Sequence, residues 1–189
     1  MSAYPIVLFL HLVGTLGLFS AFALEWAGIH GLRRATKLAQ AREWLRFSGS
    51  IRQVGFPSML TVLATGITMS VSRWGWQGWI AVALLAMVAI AVLGAAVSGR
   101  RVRAIARSLA EGDGPVSPEL RDKLRDPVLL VSGWVRTALG LGIVYIMTAK
   151  PGVFGAIASI VVALLLGLLM GFAPWRRERR LELVAPDAW

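Results

Sequence analysis

Four stretches of this 189-residue chain contain no aspartate, glutamate, lysine or arginine: 1–24, 54–72, 80–97 and 153–173. Each is close to the length a helix needs to cross about 30 Å of hydrocarbon at 1.5 Å per residue. Hydrophobic residues make up 57% of the chain and charged ones 16%, which moves the balance well away from that of a soluble domain. With no cysteine, the chain cannot form disulfides, thiolate metal sites or iron–sulfur clusters. The sequence therefore predicts an all-α polytopic membrane protein, because lipid forces backbone groups to pair within a helix. Strands of a β-barrel would be shorter and would alternate.

Five spans are expected, at about 5–29, 54–71, 79–97, 128–148 and 153–173, in one transmembrane domain over 1–175. The first lacks a basic leader and is too long for a signal peptide, so it reads as a retained span. Arg33, Arg34, Lys37, Arg42, Arg46 and Arg52 lie in the connection 30–53. Arg100, Arg101, Arg103, Arg107, Arg121, Lys123 and Arg125 lie in 98–127, and Arg176, Arg177, Arg179 and Arg180 in the tail 176–189. The opposite side has only Arg73 and Lys150. Basic residues collect on the cytoplasmic side, so the N-terminus is expected outside and the C-terminus in the cytoplasm, in a bacterial inner membrane. The net charge of +10 then reflects an anionic inner leaflet as partner, not nucleic acid. Trp74, Trp76 and Trp79 are expected at the outer headgroup level, with Trp26, Trp44 and Trp175 near the inner one.

The connections carry further expectations. Residues 33–47 place Leu38, Ala41, Leu45 and Phe47 among basic residues, as an interfacial helix would. The third span is expected to continue to about Ala110, followed by a turn at Glu111–Pro115. Ser117-Pro118 reads as a helix N-cap with proline at the first position, and Glu119 and Lys123 are spaced as a pair. Pro127 should break or kink the entry to the fourth span. Basic strings after the first and third spans, and Pro57 and Pro127 opening the second and fourth, suggest two parallel helix-hairpin copies plus a fifth span. Otherwise the basic strings are only what short inner connections carry.

Ionisable residues inside a span are costly and mark sites or ties. Glu25 lies ~9 Å and Arg136 ~12 Å from the inner boundary, with opposite charge, and they are expected to form a structural ion pair between the first and fourth spans. Snorkelling or a proton path are the alternatives. His11 shares a face with Thr15, Leu18, Phe22 and Glu25, beside the small residues Gly14, Gly17 and Ala21, so it should face the bundle. It is a candidate ligand for haem or another metal, or a histidine satisfied by a hydroxyl or carbonyl. His30 reads as interfacial. Ser58, Thr61, Thr65 and Thr68 form a hydroxyl stripe that bonds within the helix, across to a neighbour, or lines a solute path. Met59, Met69 and Met147 are conceivable copper or haem ligands, but more simply core filler. Gly155, Ser159, Ala163, Gly167 and Gly171 recur every fourth residue as a packing stripe, within the protomer or between copies. No standard catalytic constellation is present, so the reading leans away from an enzyme.

The opening Leu8-Phe9-Leu10-His11-Leu12-Val13-Gly14, with Gly55-Phe56-Pro57-Ser58-Met59-Leu60 and Thr65-Gly66 in the second span, resembles the CopD-like and HemJ-like grouping of small bacterial integral-membrane proteins. The resemblance covers the first four spans. It implies a cofactor at the early transmembrane histidine: haem b, as in HemJ-like protoporphyrinogen oxidases, or less readily copper, whose uptake CopD is linked to. Only His11 carries over. Three functions follow as expectations: a redox or metal protein holding its cofactor near His11, a non-catalytic accessory or scaffold in a homo-oligomer or larger complex, and a small-solute or ion carrier.

Overall fold

The structure is a computed structural model describing residues 3–109 and 114–184, without the side chains of 74 and 174–184. The expected turn at Glu111 and Asp113, and the side chains of Trp74, Trp175 and the tail arginines, lie outside that description.

Five helices are long and apolar enough to cross a membrane, and the described residues contain no strand. Helix α1 (Tyr4–Arg34) is joined by Ala35, Thr36 and Lys37 to α2 (Leu38–Met69), whose end passes into a π-helical turn over Ser70–Trp74. The third span is α3 (Gly78–Val92), a π-helical segment Leu93–Ser98, and α4 (Gly99–Ser108). Short α5 (Pro118–Leu124) precedes α6 (Pro127–Ala149), the fourth span, and α7 (Val153–Val184) is the fifth.

The local rules hold where a cap or proline sets the geometry. Ser117 Oγ accepts the Leu120 amide at 3.3 Å and Pro118 takes the first position of α5. Pro127 has no amide proton and ends that run, so Asp126 caps a new helix by accepting the Val128 amide at 2.9 Å. Lys123, expected to pair with Glu119, instead donates to Ser108 Oγ at 2.9 Å, tying α5 to α4.

Two expectations need correction here. The amphipathic 33–47 segment is not a separate interfacial helix: most of it is the first half of α2, which runs unbroken to Met69. Pro57 lies inside that helix instead of opening the second span. Its missing amide leaves only the Gln53 carbonyl without its usual donor, which a long apolar helix tolerates. The two hairpins are thus built differently, one on a three-residue link and one with a break before Pro127.

The sixth helix is the hub. It packs against α1, the third span and α7, and is the most enclosed of the five spans. Leu18 and Phe22 of α1, Val62 of α2, Met87 and Ile90 of α3 and Leu139 of α6 share the main core. A second core lies at the basic end, where Leu32, Ala41, Ile105, Val116, Leu120 and Leu124 close over the ends of α1, α2, α4 and α5. There the two connections pair: Leu38 N donates to Gly114 O and Val116 N to Thr36 O, both at 3.0 Å. A third cluster joins Trp79, Ile80, Ile146 and Ala156 at the opposite end. Trp79 is therefore a packed side chain and not part of an exposed aromatic belt, whereas Trp76 is exposed. Phe9, Leu16, Leu85, Phe154 and Leu169 cover the outside with apolar surface, as contact with lipid requires.

The five residues of the fifth-span stripe do not share one face. A four-residue step on a helix of 100° per residue advances about 40° each time, so Gly155 sits about 120° round from Gly167. Gly167 and Gly171 press against the backbone of α6, where an added Cβ would come within 2.7 Å of Val135 Cα and 2.8 Å of Val131 Cα. Ala163 faces Gly142. Gly155 is exposed, and Ser159 Oγ donates back to Gly155 O at 2.7 Å.

Candidate functional site

The polar groups inside the spans gather at two depths. Near the Tyr4 end of α1, His11 faces α2 and its Nδ1 lies 2.9 Å from Thr65 Oγ1. Small residues permit this approach: an added Cβ at Gly14 would meet Thr61 and Val62 side chains at 3.1 Å, and one at Gly17 would collide with the Ser58 hydroxyl. Gly66 faces the imidazole, where a Cβ would make ordinary contact at 3.4 Å from His11 Cε1.

The proton inventory fixes the direction of the His11 bond. Thr65 has one hydroxyl proton, and that hydroxyl donates to the backbone oxygen of Thr61. Its oxygen is left to accept, so Nδ1–H of His11 is the donor and Nε2 retains a lone pair. Besides Thr65, the backbone of Val62 hydrogen-bonds to the imidazole. Thr15 does not serve as the partner, because its hydroxyl donates to His11 O at 2.8 Å. The hydroxyl stripe of α2 divides accordingly. Thr61 and Thr68 bond to their own helix, and Thr65 also reaches across to α1.

The second group lies toward the basic end. Glu25 of α1 and Arg136 of α6 form an ion pair through Oε1 and Nη2. Arg136 Nε donates to Ser132 O and Nη2 to Ser98 Oγ, each at 3.3 Å, while Ser98 Oγ donates to Ser132 Oγ at 3.1 Å. The guanidinium is nearly sealed, with 8% of the Arg136 side chain exposed against 24% of Glu25. The π-helical segment makes this fit possible. It carries Ser98 into the group and brings Gly94 so close that a Cβ there would lie 3.2 Å from Arg136 Nη1. Such π segments frequently accompany functional sites. Beside the pair, Trp26 Nε1 donates to Thr137 Oγ1 at 3.3 Å, and its ring meets Trp134 edge-on at 4.6 Å.

Sequence reasoning paired Glu25 with Arg136 but missed Ser98 and Ser132. Serines among glycine and alanine near a span end carry no periodic signal, and the π segment that aligns Ser98 has none either. His30 lies exposed at the basic end, its Nδ1 2.9 Å from Trp26 O. Met59 and Met147 pack against the apolar core.

The donor set can be tested against the expected cofactors. His30 is nineteen residues beyond His11 on α1, about 28 Å at 1.5 Å per residue, so the two imidazoles cannot share one iron. A single axial imidazole held by its Nδ1–H is a familiar way to present Nε2 to haem iron. No group of three or more His, Cys, Asp or Glu able to hold a metal occurs among the described residues, so copper finds a poorer set of donors. The chain matches no family model, no curated protein and no solved structure. From its five long apolar helices it is a multi-pass membrane protein.

Proposed function

We propose that this is a bacterial inner-membrane protein, N-terminus outside and C-terminus in the cytoplasm, in which His11 is the single protein ligand of a haem b. The observation that carries the reading is the His11–Thr65 bond, which holds the imidazole at the seam between α1 and α2. Bound there, haem supplies one-electron chemistry. The chain's part is to orient the ring through Thr65 and hold it at the seam between α1 and α2. The resemblance to the CopD-like and HemJ-like grouping supports the same assignment. The orientation is supported by the seventeen basic residues on the α4–α5 side against Arg73 and Lys150 on the other.

The test is the visible spectrum of the full chain purified from haem-replete cells. A Soret band lost in His11→Ala and retained, shifted, in Thr65→Val supports the assignment, and colourless wild-type protein overturns it. Tags at the two ends, read by accessibility to protease from outside, test the orientation.

A second reading is a non-catalytic scaffold within a larger membrane complex. What favours it is that the same side chains fasten helices: His11 joins α1 to α2, and Glu25 joins α1 to α6. Colourless protein whose α1 loosens in His11→Ala would select that reading.

A further inference from the structure

A lipid-facing cleft of about 270 Å³ runs between the π-helical part of the third span, α6 and α7. Leu93 and Val97 form one wall, Val131 and Val135 the floor, and Leu168 and Phe172 the other wall, with Pro127 at the mouth. Gly167 and Gly171 draw α7 tightly onto α6, while the widened turn at Leu93–Ser98 is held around Arg136, so the space opens between them. Its lining is hydrocarbon except for the Ser132 hydroxyl, which Ser98 already occupies. A polar solute has nothing to bond to there, whereas a chain of methylenes gains close packing on three sides.

The mouth is of different character. Arg101 lies one turn beyond Val97, and its Nη1 donates to Asp126 Oδ2 at 2.7 Å, directly beside Pro127. That pairing offsets the Asp126 carboxylate and spends one of five guanidinium donors. Nε of Arg101 is buried and out of a ligand's reach, but 40% of the side chain is open to the surroundings, so its terminal nitrogens can meet a headgroup. Arg100, next to it, is exposed. An apolar slot that ends beside a half-open arginine matches one kind of molecule.

We propose that this cleft is a binding site for an anionic phospholipid of the leaflet on the α4 side, with an acyl chain between α3, α6 and α7 and the phosphate on Arg101. The chemistry divides cleanly: the walls fix the chain whatever the headgroup, and the arginine supplies the preference for negative charge.

Native mass spectrometry of the detergent-solubilised full chain tests it, with phosphatidylglycerol and phosphatidylcholine of identical chains as probes. The wild-type protein is expected to retain one phosphatidylglycerol about fivefold more than phosphatidylcholine. Val97→Trp, which fills the slot, should lose both adducts, and Arg101→Gln should keep an adduct but lose the preference. If Val97→Trp does not fold, as judged by circular dichroism, Leu168→Trp fills the same space from α7. Equal retention of the two lipids by the wild type, or an undiminished adduct in the folded filled variant, would overturn the proposal.

Discussion

Removing Glu25 should damage this protein more than removing Arg136, although they are two halves of one ion pair. The reason is the difference in their surroundings. Arg136 exposes 8% of its side chain, so Glu25→Ala strands a buried guanidinium with only Ser98 Oγ and Ser132 O as partners. Breaking a buried pair this way costs about 3–5 kcal/mol, and the two remaining hydrogen bonds keep the value near the lower end, about 3 kcal/mol. Arg136→Met leaves Glu25, which is 24% exposed and can reach water. Ser98 and Ser132 still bond to one another. That substitution should cost about 1–2 kcal/mol. In the double variant no charge is stranded, so its cost should fall at least about 1 kcal/mol below the sum of the singles. The assay is unfolding in mixed micelles by increasing denaturing detergent, followed by circular dichroism. Glu25→Ala no worse than Arg136→Met, or costs additive to within about 0.5 kcal/mol, would refute the claim that a sealed guanidinium depends on this carboxylate.

Three other outcomes are expected from the same assay. Gly167→Leu should cost about 3 kcal/mol, because its Cβ would meet the backbone at Val135, while Gly49→Leu, in open space on α2, should change little; equal effects would contradict the packing of α7 on α6. Thr65→Val should cost about 0.6 kcal/mol, the usual worth of one interhelix hydrogen bond in a membrane, and a loss above about 2 kcal/mol would mean that His11 depends on more than this hydroxyl. Pro57→Ala restores a donor to Gln53 O and should stabilise the fold by about 1 kcal/mol; a loss of stability would show that the proline ring itself is needed for packing.

The spans could be read from the sequence because a bilayer imposes one coarse rule, a charge-free length, and the chain obeys it. The Glu25–Arg136 contact was legible for the same reason: two opposite charges at matching depth have few other ways to be satisfied. What escaped depended on geometry that composition does not encode. Pro57 suggested a boundary because proline breaks helices in water, yet in an apolar helix the lost bond is a single one and α2 continues. Trp79 suggested a headgroup contact because two other tryptophans stand close by, yet its ring fills the space beside Ile146 and Ala156. The every-fourth-residue stripe of α7 looked like a single face, but its slow winding leaves only Ala163, Gly167 and Gly171 against α6. The slot in front of α6 follows from the π segment, and nothing in Leu93–Ser98 announces one.

The paired backbone amides at Thr36–Leu38 and Gly114–Val116 constrain how the chain is assembled. Those two connections are separated by the whole second and third spans, so the lock cannot close while the ribosome has delivered only the first hairpin. Until Leu120 and Leu124 arrive, the apolar ends of α1 and α2 have no lid against water. The step that completes the lid therefore also certifies that three spans have been threaded in the correct order. A chain stalled before Val116 would present the quality-control machinery with a bare greasy patch at the membrane surface.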